Sequence, residues 1–199
     1  MEAQTIREAW LNKAIRHVCV RVFQPAGFDL REDTMKVSCS WPAGRAPDKV
    51  IGQCWPRKAS ASGHNEMFIT PVLADPVKVL DVLVHEMVHA FDDCESKHGA
   101  AFRKIAEKVG LEGAMKSAHA GETLLGTLRE IAADLGPYPH REITLTMKEK
   151  KQKTYMLKCV CQTESCGFLF RTTQSMIDKA PDPVMICPAC GEQTVEVVA

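Results

Sequence analysis

Residues 77–102 read VKVLDVLVHEMVHAFDDCESKHGAAF, and one pattern inside them restricts the fold more than any other: His85-Glu86-Met87-Val88-His89. Two histidines four positions apart lie on one flank of an α-helix, where both rings can converge on a single ion. The flanking residues predict that helix. Asp75-Pro76 supplies an N-cap acceptor and a proline suited to the first turn. Leu80, Leu83, Val84, Met87, Val88 and Phe91 recur with the i, i+3, i+4, i+7 spacing of one apolar face. Glu86 stands beside the two rings, placed to take a proton from metal-activated water and not to bind the metal.

A catalytic zinc ion keeps one of its four positions for water, so a third protein ligand is required. The helix is expected to end near Asp92-Asp93-Cys94, with Ser96 capping a new helix over Ala100 to Val109. His98 then falls at the turn between the helices and can reach back to the metal. Glu107 is its rival, because some zinc peptidases use a downstream glutamate, and Cys94 is a weaker competitor. Asp81 and Asp92 are candidate hydrogen-bond partners for the ligand rings. The plain alternative is a core helix with two incidental histidines; it does not explain why both polar rings fall on one stripe with Asp81 and Asp92 nearby, and the His98-Gly99 pair adds to the case for a metal.

A second cluster lies near the C-terminus. Nine cysteines is an odd number, and five fall within residues 159–190. Without an export signal, this favours metal ligation over disulfides. Cys161, Cys166, Cys187 and Cys190 form two knuckles, each followed by glycine, with the spacing of a closed structural zinc site. Cys159 is the alternative first ligand but sits too far from Cys166, and it reads better as the end of a strand over Tyr155 to Cys159. With strands Phe168 to Thr172, Val184 to Ile186 and Thr194 to Val198, this is a zinc ribbon. Its core is too small to be stable unaided, so the metal is expected to hold it together.

The rest of the chain frames these two sites. Residues 4–23 read as an amphipathic helix with Ile6, Trp10, Ala14, Ile15, Val18 and Val22 near one face. Three short strands are expected at Lys36 to Trp41, Val50 to Trp55 and Glu66 to Thr70, the last an edge strand that can pair with an extended peptide over the metal. A further helix is expected over residues 122–135. His17, His119 and His140 read as loop or surface histidines. Tyr138 or His140 is a candidate donor to a developing oxyanion. Net charge is zero, so no global attraction to nucleic acid is expected, although Lys148, Lys150, Lys151, Lys153 and Lys158 oppose only Glu149 in a local basic linker. No signal peptide and no membrane-length apolar run is present, which points to a cytoplasmic protein.

The stretch VLVHEMVHAFDD…KHGAAFRKIAEKVGLEG resembles the SprT-like zinc metallopeptidases, whose H-E-x-x-H and H-G-x-x-F elements fall on His85, Glu86, His89, His98, Gly99 and Phe102. The upstream EMFITPVL and the cysteine-rich tail also fit that family's layout. The resemblance implies an α+β, zincin-like metallopeptidase domain over residues 1–143 and a four-cysteine zinc ribbon with its basic linker over 144–199. It implies two zinc ions, one catalytic at His85, His89 and His98, one structural at the four cysteines. It also implies a zinc endopeptidase with Glu86 as general base, acting on protein substrates, with DNA-bound or DNA-crosslinked proteins as candidates and DNA as a candidate partner. A DNA-associated zinc protein with a latent, non-proteolytic centre is the alternative.

Overall fold

The computed structural model describes residues 6–43, 50–145, 156–179, 185–192 and 195–198. The chain is mixed α+β and divides into two compact units, Met1–Leu145 and Thr146–Ala199. The junction lies two residues beyond the expected one. Four of the five lysines of the basic linker, Lys148 to Lys153, lie outside the described residues, as does Tyr155. No helix among the described residues is long and apolar enough to cross a membrane.

In the first unit, helix α1 (Arg7–Val18) continues into a π-helical turn over Cys19–Phe23. Trp10, Leu11, Ala14, Ile15 and Val18 are buried along α1, and the wider turn then carries Val22 and Phe23 inward as well. Ile6, expected on this face, caps the helix outside it and is exposed. The Trp10 indole N–H donates to the Gly136 carbonyl at 3.1 Å, tying α1 to the far end of the unit.

Strands β1 (Met35–Cys39), β2 (Gly52–Trp55) and β3 (Asn65–Ile69) form one sheet in the order β1-β3-β2. β1 runs parallel to β3 and β2 antiparallel to it. The strand before the metal helix is therefore central, which corrects the expectation that it forms the edge. Its alternating burial agrees: Asn65, Met67 and Ile69 are buried. The edges are β1 and β2, and the outer side of β2 has no strand partner among the described residues.

Helix α2 (Pro76–Phe91) opens as expected, the Asp75 carboxylate accepting the Lys78 amide at 2.8 Å and Pro76 filling the first position. Val79, Leu80, Val82, Leu83, Val84, Met87, Val88 and Ala90 are all buried, so this is a core helix wrapped on most sides. Phe91, at its end, is partly exposed and meets the Phe28 ring edge-on. Helix α3 (Ala100–Lys108), the short ladder of β4 (Leu111–Glu112) with β5 (His119–Ala120), and helix α4 (Glu122–Leu135) complete the unit. Gly99 caps α3, not Ser96.

The second unit is a three-stranded antiparallel sheet of β6 (Leu157–Cys161), β7 (Leu169–Thr172) and β8 (Val195–Val198) in the order β7-β6-β8, with a single helical turn, α5 (Gln174–Ile177). β6 runs past the buried Cys159 to Cys161, two residues further than expected. Met185 and Ile186 do not form the expected strand, and Val184 lies outside the described residues, as does Thr194 at the expected start of β8.

Candidate metal centres

Helix α2 presents His85 and His89 on successive turns, and the chain then reverses to bring back His98. That reversal is conformationally costly. Asp93, Cys94 and Lys97 have φ of 53°, 64° and 49°, left-handed values that side chains with a Cβ avoid. Local hydrogen bonds hold it in place. Asp93 Oδ1 accepts the Arg57 amide at 2.7 Å and the amide of the buried Asn65 at 2.8 Å, while the Cys94 amide closes on the His89 carbonyl at 2.8 Å. Asp92 Oδ2 accepts the Ser96 amide at 3.1 Å. Asp93 thus fastens the turn to the loop after β2 and to the start of β3.

The result is three imidazoles with their Nε2 atoms together: His98 lies 3.3 Å from His85 and 3.2 Å from His89. Ligands at about 2.0–2.1 Å from a tetrahedral zinc ion stand about 3.3–3.4 Å from one another, so the spacing is that of a tetrahedron's edge. The donor set fits such an ion. Phe102 is fully buried behind the rings, its centroid 5.1, 4.4 and 5.1 Å from those of His85, His89 and His98. Burial, with His98 second, pushes His85 down to about 4. Burial, with His85 and His98 behind it, pushes His89 down to about 3. Burial and then Lys116 lower His98. All three shifts favour the neutral imidazole, the form whose lone pair can bind a metal.

Glu86 is 5% exposed. Burial, with Cys94 a lesser cause, pushes its carboxyl up to about 8. Strand β2 lies directly on it. A Cβ at Gly52 would stand 2.5 Å from Val82 Cγ1 and 3.0 Å from Glu86 Cδ, and nearer still to Glu86 Oε1. The branched Val82 side chain is buried and cannot swing aside. Gly52→Ala is therefore expected to lower the unfolding free energy by about 1–3 kcal/mol through overpacking. Denaturant titration reads this; an unchanged midpoint would mean that strand and helix separate freely.

A cavity of about 690 Å³ opens above the rings. One wall is the edge strand with its approach, Val50 to Cys54, and the other carries Lys97, Lys116 and His119. Several expectations need correction here. Glu107, the rival to His98, is not part of the three-histidine group; it lies on α3 in an ion pair with Arg103 at 3.8 Å. Asp81 and Asp92 do not bind the ligand rings, since Asp81 Oδ1 accepts the Ala120 amide at 2.7 Å and Asp92 serves the turn. Tyr138 and His140 face away from the cavity: Tyr138 is buried against Trp10 with ring centroids 5.0 Å apart. The His140 ring lies between the Pro71 carbonyl, 2.8 Å away, and the Arg7 guanidinium, 3.2 Å away. The cavity residue that the sequence leaves unnoticed is His119, read as a loop histidine because β4 and β5 are only two residues long each.

In the second unit, Cys161, Cys166, Cys187 and Cys190 come together as expected. Cys161 and Cys190 sulfurs are 3.7 Å apart, those of Cys166 and Cys187 3.8 Å. A tetrahedral zinc ion with Zn–S of about 2.3 Å separates its sulfurs by about 3.8 Å. Gly167 and Gly191, at φ of 54° and 76°, make the turns that close the two knuckles. Both the three-histidine and the four-cysteine group are thus able to hold a metal ion.

No family model, no curated protein and no solved structure matches the chain.

Proposed function

We propose that the protein is a zinc-dependent endopeptidase of the SprT-like kind, with a zincin-like catalytic domain and a zinc ribbon. One observation carries the reading: three imidazoles at the spacing of a tetrahedral ion, next to a buried carboxylate that is not one of them. A purely structural metal site has no use for that carboxylate. Zinc bound by His85, His89 and His98 supplies a Lewis acid for a peptide carbonyl and makes water more acidic than in bulk. Glu86 takes the proton from the attacking water and returns it to the departing amine nitrogen. Its burial strengthens it as a base, and a cation at the rings would oppose that push and favour the ionised form.

The open edge of β2 receives an extended peptide through backbone hydrogen bonds. Val50 and Ile51, 37% and 47% exposed, offer the peptide apolar contact beside the rings. The second zinc, held by the four cysteines, is structural. None of the nine cysteines forms a disulfide, and the five outside that cluster fit a reducing, cytoplasmic setting. DNA-bound or crosslinked proteins are the substrates suggested by the family resemblance.

The test is cleavage of a DNA-binding protein and of an unfolded protein by the purified chain, each with and without DNA. Cleavage abolished by a zinc chelator and restored by zinc is expected. Stimulation by DNA would favour the DNA-bound substrates, and equal rates would favour unfolded proteins. Failure to cleave either under any condition would leave the non-proteolytic alternative.

A further inference from the structure

Strand β5 brings to the cavity an imidazole that has no part in the chemistry above. We propose that His119 is a catalytic residue, donating a hydrogen bond to the oxygen that gains negative charge as the peptide carbonyl becomes tetrahedral. This rests on the peptidase reading.

His119 lines the same cavity as His85, Glu86 and His98. The strand that carries it is held from several directions, while the ring itself is exposed and rests against Gly113. Asp81 lies one turn ahead of His85 on α2, and its Oδ1 accepts the amide of Ala120, next to His119, at 2.7 Å. The helix that supplies two of the rings and Glu86 therefore also anchors the strand that supplies His119. On the other side, β5 pairs with β4 in the register Glu112↔His119. Gly113, at φ of 92°, provides a surface for the ring: a Cβ there would stand 3.1 Å from His119 Cε1 and 3.3 Å from Nδ1. The Glu112 side chain covers Gly121 in the same way, so that side chains pack onto the glycine just past each strand of this short ladder.

Such fixing is what an oxyanion donor requires, because the gain comes from dipoles already in place when charge develops. Imidazole offers an N–H in its neutral and its charged form. The proton stays on His119 throughout, since the transferred proton travels on Glu86. Tyr138 and His140, the donors suggested by sequence, do not reach the cavity.

The test uses the zinc-loaded full chain and a phosphinic pseudo-peptide, a tetrahedral mimic matched to a cleavage site mapped in the wild type. His119→Phe keeps a ring over Gly113 but has no donor. It is expected to bind the mimic about 100-fold more weakly, with kcat down by a similar factor. Zinc content and KM for the matched peptide should stay near wild type, the pattern of an interaction made only in the transition state. His119→Gln, which restores an N–H, should recover part of both losses. Wild-type affinity for the mimic in His119→Phe would overturn the assignment of His119 alone. If the wild type cleaves no protein, so that no site can be mapped, the peptidase reading fails and this assignment falls with it.

Discussion

Glu86→Gln is expected to keep zinc at both sites and to lose about 10³-fold in kcat, the middle of the range for a general acid–base group. The amide has nearly the volume of the carboxylate, so its packing against Val82 and beneath Gly52 is preserved. It cannot accept the proton of the attacking water. Folding should not suffer: the carboxyl is 5% exposed and pushed up to about 8, so a neutral group at this position is, if anything, easier to bury in the metal-free protein. Turnover, zinc stoichiometry and thermal midpoint measured on the same preparation test all three points. A variant that turns over like the parent would remove Glu86 from the mechanism while leaving the metal site intact.

The second large effect concerns metal content. Two groups of ligands in separate compact units predict two zinc equivalents per chain, falling to one in His98→Ala and to one in Cys187→Ser. The consequences for folding differ. His98→Ala removes one ligand from a unit with an extensive core, in which Trp10, Phe23, Phe102, Leu83 and Met87 are fully buried, so that unit stays folded. Among the described residues of the second unit, the fully buried side chains are Cys159 and the ligand Cys187, beside a sheet that leaves Phe168 and Leu169 exposed. Zinc contributes on the order of 10 kcal/mol to folding in such small modules, more than that core can replace. Cys187→Ser should therefore make residues 156–198 sensitive to protease while the first unit keeps its own ion. Two equivalents retained in Cys187→Ser would place the second metal elsewhere.

What was legible in the sequence follows the range of the interactions involved. The spacing of His85 and His89 is a property of one helix, and that of Cys161, Cys166, Cys187 and Cys190 a property of two tight turns, so both could be read directly. His98 was legible because a helix had to end before it and another begin after it; excluding Glu107 took the path of the intervening turn. That turn rests on Asp93 reaching Asn65, twenty-eight residues away, which no local pattern announces. The same limit explains the misplaced edge. Strand order depends on β1 pairing in parallel with β3 across the intervening β2, whereas the sequence suggested only that the last strand before the helix lies over the metal. His119 was overlooked for a related reason: two-residue strands have no periodicity to detect, and the contact that fixes them, Asp81 to the Ala120 amide, spans thirty-nine residues.

The β2 wall of the cavity pairs with one strand only, through a four-residue ladder to β3 and one bond from the Thr70 amide to the Ile51 carbonyl, with the Asn65 and Cys94 side chains donating to its Trp55 and Cys54 carbonyls. A strand held along one side opens at less free-energy cost than one paired on both. Admission of a bulky chain and fraying of the sheet margin therefore draw on the same few hydrogen bonds. Changes that stiffen this margin would be expected to slow entry and exit before they alter the chemistry at the rings.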